Sequence, residues 1–281
     1  MRPVVTFLSD FGLEDDFVGT CHGVIKRIAP EADIIDITHG IEPQQVLQGA
    51  LVLANTLPYM PEGVHLAVVD PGVGTGRKAV CLRSADGRLH VGPDNGLLVL
   101  GGERLGGIEA AWEIADPRYR LEPVSHTFHG RDIFAPAAAH LARGLPPHEL
   151  GPPLEPASLA RLDLPRPRVG EEEIEAHVLI VDRFGNMQLN LTYADLERVG
   201  IAIGARVELE VGLDRYYAVT ARTFADARPG DILLFEDSYR NVAVAINKGH
   251  AATLLGARAG DGVRIRRLSN WPLSQGRQAV R

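Results

Sequence analysis

Only two cysteines, Cys21 and Cys81, occur in 281 residues, and both sit inside apolar patterns rather than in a spaced framework. A disulfide scaffold is thereby excluded, and the pattern suggests reduced, buried thiols in a cytoplasmic protein. Long apolar runs are missing too: none approaches the roughly 20 residues that a membrane helix needs, so no membrane partner is expected. The first residues lack the extended apolar core and small-residue cleavage site of a signal peptide. Excess positive charge is also absent. The net charge is -7, which argues against a nucleic-acid partner, although the stretch R-I-R-R-L-S-N-W-P at 264–272 is locally basic and reads as a solvated end. No internal repeat or low-complexity run interrupts the chain. What remains, 45% hydrophobic and 23% charged residues, suits a globular protein of about two domains.

The densest cluster of chemistry-bearing residues is V-V-D-P-G-V-G-T-G-R, Val68 to Arg77. A continuous apolar run at 64–69 predicts a fully buried strand, and Asp70 falls at its C-terminal end, where open α/β sheets place their ligands. Gly72, Gly74 and Gly76 permit close approach of backbone to a ligand, and Arg77 adds a charge that cannot be titrated away. The same residues also read as an ordinary surface turn with a capping Asp and a solvated Arg.

Val4 to Leu8 predicts a first strand, which likewise runs into a carboxylate, Asp10. Helical spacing follows over 15–28, a strand over 33–37, and a second helix opened by Pro43 with Val46, Leu47, Ala50, Leu51, Ala54 and Leu57 on its buried face. This strand–helix alternation is the mark of a Rossmann-like α/β domain with a mostly parallel sheet. Further strands at 79–83 and 89–92 are joined by the hairpin turn Asp86-Gly87. Pro93 to Gly96 reads as a polar turn, and H-T-F-H-G-R places His126, His129 and Arg131 at the entrance of a helix over 132–142. Histidine is readily poised near neutral pH, though a lone one is often a cap or a core residue.

Seven prolines between 145 and 170 mark a linker. The chain is accordingly read as an N-terminal α/β domain at 1–150, a linker at 151–170, and a smaller C-terminal all-β, barrel-like domain at 171–281. Short strands near 174–181, 206–211, 216–220, 232–235 and 242–246 support the last assignment, with one short helix at 194–199 capped by Thr192 or Asp195. Where strands meet turns, D-R-F-G-N (Asp182, Phe184, Asn186), E-D-S (Glu236 to Ser238) and Asn247 stand out. Asp and Asn beside a Phe can grip a flat heteroaromatic ring by its edge and face, and they also suit a plain type I turn with Gly185.

Taken together, F-L-S-D-F-G, V-V-D-P-G-V-G-T-G-R, P-D-N-G-L, T-F-H-G-R-D-I-F-A-P and D-R-F-G-N run in order over nearly the whole chain. In this the sequence resembles the S-adenosyl-L-methionine (SAM) hydroxide adenosyltransferases, the water-using relatives of fluorinase and chlorinase. The resemblance implies a homotrimer with SAM held between the N-terminal domain of one subunit and the C-terminal domain of its neighbour. It implies catalytic roles for Asp70, Arg77 and His129, ribose binding by Asp10, and substrate binding by Asp182, Phe184, Asn186, Ser238 and Asn247. Arg240 and Ala243 stand where the family motif around the purine has Gly and Glu, a departure that touches the adenine contacts. SAM is the substrate, and no metal or separate cofactor is implied.

The chemistry implied is hydrolysis of SAM to adenosine and L-methionine. A sulfonium leaves as a neutral thioether without a general acid, so the need is for a nucleophile, and water becomes one when Asp70 or His129 takes its proton. In the halogenating relatives a Tyr resembles the counterpart of Asp70, and in fluorinase a Ser occupies the position matching Gly130. An anionic Asp70 repels a desolvated halide, which leaves a SAM-dependent chlorinase or fluorinase as the alternative enzyme. A non-catalytic SAM- or adenosine-binding protein is a further alternative, although G-V-G-T-G matches neither G-x-G-x-x-G nor a P-loop. A metal-dependent hydrolase would draw on Asp10, Asp15, Asp16, His22, His39 and His129, which form no compact motif such as H-E-x-x-H.

Overall fold

The computed structural model describes residues 2–268, which divide into two compact units at Asp163/Leu164. The first unit contains β1 (Val4–Ser9), α1 (Phe17–Ile28), β2 (Asp33–Thr38), α2 (Val46–Thr56), β3 (Val64–Val68), β4 (Ala79–Ser84), β5 (Leu89–Pro93), α3 (Val99–Arg104), β6 (Ile108–Glu113), α4 (Ala135–Ala142) and β7 (Pro153–Leu154). Its sheet has the order β2-β1-β3-β5-β4-β6-β7. Pairing is parallel from β2 to β5 and antiparallel from β5 to β7, because the tight turn with Gly87 at φ 89° sends β5 back along β4.

Every residue of β3 is buried, as a strand covered on both faces requires. Its side chains alternate between two cores. Val64, Leu66 and Val68 pack with Val5, Phe7, Cys21, Ile25 and the alanines of α4, while Ala67 and Val69 pack with Leu8, Leu53, Leu57 and Leu97. Burying each large aliphatic side chain contributes about 1.5–3 kcal/mol. Helices α1 and α4 thus cover one face and α2 and α3 the other. The winding order of the strands reverses between β1 and β3, with β2 added on one side and β3 on the other, and the C-terminal ends of those two parallel strands flank the crevice where such sheets bind ligands. Cys21 and Cys81 are buried free thiols, each pushed up to about 12 by burial.

Two sequence expectations need correction here. Pro43 does not open α2. Gln44 adopts a left-handed φ of 67°, which no helix accommodates, and the helix starts at Val46. The helix expected over 132–142 begins earlier, with a wide π turn at Gly130–Phe134 that runs into α4.

The second unit contains β8 (Arg168–Val169), β9 (Glu173–Val181), β10 (Met187–Leu189), α5 (Tyr193–Arg198), β11 (Arg206–Val211), β12 (Asp214–Thr220), β13 (Ile232–Glu236), β14 (Val242–Ile246), α6 (Ala251–Leu255) and β15 (Gly262–Arg267). The order is β10-β14-β13-β12-β11-β15-β9-β8, and β10 also pairs with β9, which closes seven strands into a barrel. Closure removes the exposed edges that an open sheet would carry. Ile174, Val178, Val207, Leu209, Leu234, Val244 and Ile265 fill the interior. A capping box opens α5, where the Thr192 amide donates to Asp195 Oδ2 at 2.9 Å.

The basic stretch is not a solvated end as far as Leu268. Residues 262–267 form β15 in the barrel wall, and the outward-facing Arg264 and Arg266 pair with Glu175, Glu210, Glu173 and Glu208 on the flanking strands. Alternation of Arg with Val263 and Ile265 is strand periodicity carrying cross-strand ion pairs. Residues 269–272 of that stretch lie outside the described residues. Among the described residues no helix is long and apolar enough to cross a membrane.

Candidate active site

Asp10 and Asp70 follow β1 and β3, adjacent parallel strands in which Ser9 pairs with Val68. Asn95 fixes the end of β3, since its Nδ2 donates to the Val69 carbonyl at 2.8 Å while its Oδ1 accepts from the Leu97 amide. The turn read as merely structural therefore sets where Asp70 begins. Past Asp70 the glycine loop folds back tightly. Gly74, at φ 76°, leaves no room for a side chain, because a Cβ there would lie 2.5 Å from the His126 carbonyl oxygen. This approach brings the loop against the segment that carries His129.

Asp70, Arg77 and His129 form one hydrogen-bonded chain. Arg77 Nε donates to Asp70 Oδ1 at 2.9 Å and Oδ2 at 3.1 Å, and Nη2 adds a second bond to Oδ2. The same Nη2 lies 2.8 Å from His129 Nδ1. Only 6% of the Asp70 side chain and 10% of that of Arg77 are exposed, so the pair is shielded from bulk solvent. The guanidinium also sits 5.0 Å from the centre of the Phe134 ring, a cation–π support from beneath. Burial and the Arg77 charge push His129 below its ordinary pKa, and Asp70 opposes them only in part. The imidazole is neutral at pH 7.

Tautomer follows from the partner. Guanidinium offers donors only, so His129 Nδ1 accepts and the ring proton sits on Nε2. His129 is held in place by its own chain: the buried Asp132 accepts from the Ser125 amide at 2.9 Å and from Arg131 Nε and Nη2. Burial alone would raise the Asp132 pKa, but the Arg131 side chain and the Ser125 amide outweigh it and hold the group low.

Asp10 lies at the neighbouring strand end. Burial raises its pKa, the Gln44 amide and its own backbone amide lower it, and the Asp70 charge raises it again. The Gln44 amide reaches Asp10 Oδ2 at 2.8 Å from its left-handed conformation. Sequence reasoning missed Gln44, since nothing marks a glutamine for positive φ. At Gly130 a Cβ would meet Phe11 Cζ at 2.9 Å. Phe11, Phe17 and Phe128 form an aromatic cluster around that point.

In the barrel unit, Asp182, Phe184 and Asn186 share one turn. Asp182 Oδ1 accepts from the Phe184 and Asn186 amides at 2.8 and 2.9 Å, and Oδ2 accepts from Asn186 Nδ2 at 2.7 Å. Gly185, at φ 81°, packs against the His250 ring. The turn thus projects the Phe184 ring, which is 70% exposed. Ser238 is exposed between β13 and β14. Asn247 Nδ2 is committed to the Phe224 and Ala227 carbonyls at 3.0 and 2.7 Å, pinning that turn. Of the scattered metal-ligand candidates, His22 and His39 come together, with Asp36 as the third member; Asp10, Asp15, Asp16 and His129 do not join that group.

Comparison with known proteins agrees over both units. Residues 5–151 match the model of the SAM hydroxide adenosyltransferase N-terminal domain, and residues 176–264 match that of the C-terminal domain. The (R)-S-adenosyl-L-methionine hydrolase of Salinispora tropica is 48% identical over 263 residues, covering 94% of this chain and 97% of its own. A fluorinase from Nocardia brasiliensis is a more distant relative, 28% identical over 94% of this chain and 97% of its own. Among solved structures, an uncharacterized conserved protein from Thermotoga maritima superposes with a TM-score of 0.87 at 38% identity, over 94% of this chain and 100% of that one.

Proposed function

Because the chain belongs to the SAM hydroxide adenosyltransferase family, we propose that it hydrolyses S-adenosyl-L-methionine to adenosine and L-methionine by attack of water on C5'. The O–C5' bond forms as the C5'–S bond breaks, the electron pair leaves on sulfur, and the water loses one proton. The observation that carries this reading is the shielded Asp70–Arg77–His129 chain at the switch point of the sheet. A sulfonium needs no protonation to leave, which matches the lack of a general acid in the reading.

In this mechanism Asp70 takes the proton. His129 presents Nε2–H, a donor that orients the water oxygen, since its Nδ1 lone pair is already given to Arg77. The Arg77 charge stabilises the developing hydroxide, and in-line placement opposite sulfur supplies much of the remaining acceleration. Asp10 holds the ribose hydroxyls. Asp182 and Asn186 shape the turn that offers Phe184 to the substrate, and Ser238 and Asn247 serve the purine side, the latter through the turn it pins. Water and SAM suffice for the chemistry, with no metal or cofactor in the reaction.

An anionic carboxylate at 70 disfavours a halide in the nucleophile position, and the hydrolase relatives are nearer in sequence than the fluorinases. A cytoplasmic homotrimer with shared active sites completes the reading, supported by two buried free thiols and by the exposed Phe184. Turnover of SAM in oxygen-18 water, with and without chloride, tests it. Label in the 5'-hydroxyl of adenosine, lost in Asp70→Ala, is the expected result. A chlorinated nucleoside would make the protein a halogenase, and SAM recovered intact would make it a binding protein. If neighbouring subunits share sites, mixing Asp70→Ala with Phe184→Ala subunits should bring back a fraction of turnover with the wild-type KM, which neither variant shows alone.

A further inference from the structure

We propose that His22, Asp36 and His39 form a binding site for one divalent transition-metal ion of the zinc class, outside the residues assigned to the reaction. Three separate elements supply them: His22 from α1, Asp36 from β2 and His39 from the segment just after β2. Nε2 of His22 and Nε2 of His39 lie 2.9 and 3.1 Å from the same atom, Asp36 Oδ1, and one ligand atom from each residue falls within 4.8 Å of the others. Donors on a tetrahedral ion with bonds of about 2.0–2.2 Å stand roughly 3.3–3.6 Å apart, so a movement of about half an ångström is needed to receive one.

The orientation of His39 is the second observation. Its side chain is 2% exposed, yet Nε2 makes no hydrogen bond despite its nearness to Oδ1. The ring therefore aims past the carboxylate oxygen, as ligands do when they converge on a common point instead of on one another. An orphaned buried ring nitrogen is costly unless something fills that point. Ser9 Oγ stands 2.7 Å from His39 Nδ1 and also accepts from the Phe11 amide at 3.3 Å. In the tautomer in which Ser9 Oγ accepts from Nδ1–H as well, the Nε2 lone pair is free, the outer-shell arrangement that metal-binding histidines use.

Charge and access agree. Among the described residues no lysine or arginine pairs with Asp36, whose ion-pair partners are the two histidines. The Asp36 and His22 side chains are 41% and 31% exposed, which leaves an open side for entry and for a water as the fourth ligand. Two imidazoles and one carboxylate favour zinc, cobalt, nickel or copper over calcium and magnesium. A bound ion would tie α1 and β2 to the segment whose His39 carbonyl accepts from the Gly12 amide at 2.8 Å, two residues past Asp10.

The test uses the full-length protein, stripped with chelator and titrated with ZnCl2 or CoCl2 alone. Expected are about one zinc retained per chain after gel filtration, a higher melting temperature, and a visible absorption band with cobalt. His22→Ala and Asp36→Asn, both at accessible positions, should each weaken retention at least about tenfold. His39 is left unaltered because it is buried. Wild-type protein that retains no more zinc than these variants, or that gives no cobalt band, would reduce the three residues to a hydrogen-bonded trio and overturn the proposal.

Discussion

Two turns in this chain carry an aspartate, a glycine and a ring or cation, yet they spend the carboxylate in opposite ways. Asp182 gives both oxygens to its own turn, to the amides of residues 184 and 186 and to the Asn186 side chain. Asp70 gives its oxygens to Arg77, seven residues on, and through it is linked to His129, 59 positions away in the chain. A carboxylate saturated by local amides is a structural device that sets a loop. One held by a fixed guanidinium charge from farther along the chain keeps lone pairs in a shielded, charged setting where they can do chemistry. The sharpest break of this contrast is to make the same change in both turns. Asp70→Asn should lower kcat/KM by about 10²–10⁴-fold with folding intact, while Asp182→Asn, which keeps an acceptor for the two amides, should act chiefly on KM and by only a few fold. Steady-state kinetics on the two variants decides it, and equal losses would erase the distinction.

Acid should separate the two units as well. His65 on β3 and His90 on β5 are fully buried, bonded to Thr6 and Ser84, and burial lowers their pKa values to about 3 and about 4. In the unfolded chain both titrate near the ordinary value of about 6.5. Between that value and the folded ones the unfolded state binds protons that the native state refuses, so stability is complete above about pH 6.5 and falls as pH drops toward 4 and then 3. At pH 5 the loss is on the order of 2 kcal/mol for each histidine. Hydrogen exchange at pH 7 and pH 5 should show β3 and β5 opening before the barrel strands, with activity lost in step because Asp70 sits at the end of β3. A barrel that opens first would refute this.

How much of this could be read in advance depended on the range of the interaction. The buried strand at 64–69, the hairpin at Asp86-Gly87 and the Asp70, Arg77 and His129 set were legible, because strand burial and turn chemistry are local and the motifs lie in a recognisable order. Gln44 was not, since its left-handed backbone is imposed by the Asp10 carboxylate that it caps, 34 residues earlier. The three-residue β10 was too short to show a period, and β15 was hidden by its arginines, whose partners Glu173, Glu175, Glu208 and Glu210 lie on strands far away in sequence. Asp36 was overlooked beside His22 and His39 because only the packing of α1 beside β2 joins them.

Gly130 tests the N-terminal side at finer scale. A methyl at that position meets Phe11 Cζ at 2.9 Å and must displace a ring packed 5.8 Å from Phe128. Gly130→Ala should cost about 1–3 kcal/mol by overpacking, read by urea unfolding, and reduce kcat because the displaced Phe11 ring packs on Phe128, the residue before His129. Phe11→Leu in the same chain should recover part of both, since it removes the obstructing ring edge. Failure of the second substitution to help would locate the cost in the π turn's backbone rather than in the aromatic cluster.

The smallest effect belongs to the barrel turn and bears on what that turn is for. Phe184 is 70% exposed, and the hydrogen bonds that define the turn come from Asp182 and the backbone, not from the ring. Removing the ring therefore takes away little that holds the fold, and Phe184→Ala should leave the melting temperature unchanged within the range of ordinary surface substitutions, about ±0.5 kcal/mol. A ring that stacks on the substrate contributes about 0.5–1.5 kcal/mol beyond its area, so KM should rise roughly tenfold with kcat little altered. That split matters more than the size. A drop in stability would mean that the ring packs at home and that the turn resembles an ordinary surface feature. A fall in kcat at constant KM would move Phe184 to the reacting centre, and with it the idea that one turn shapes the binding surface while the other performs the chemistry would fail.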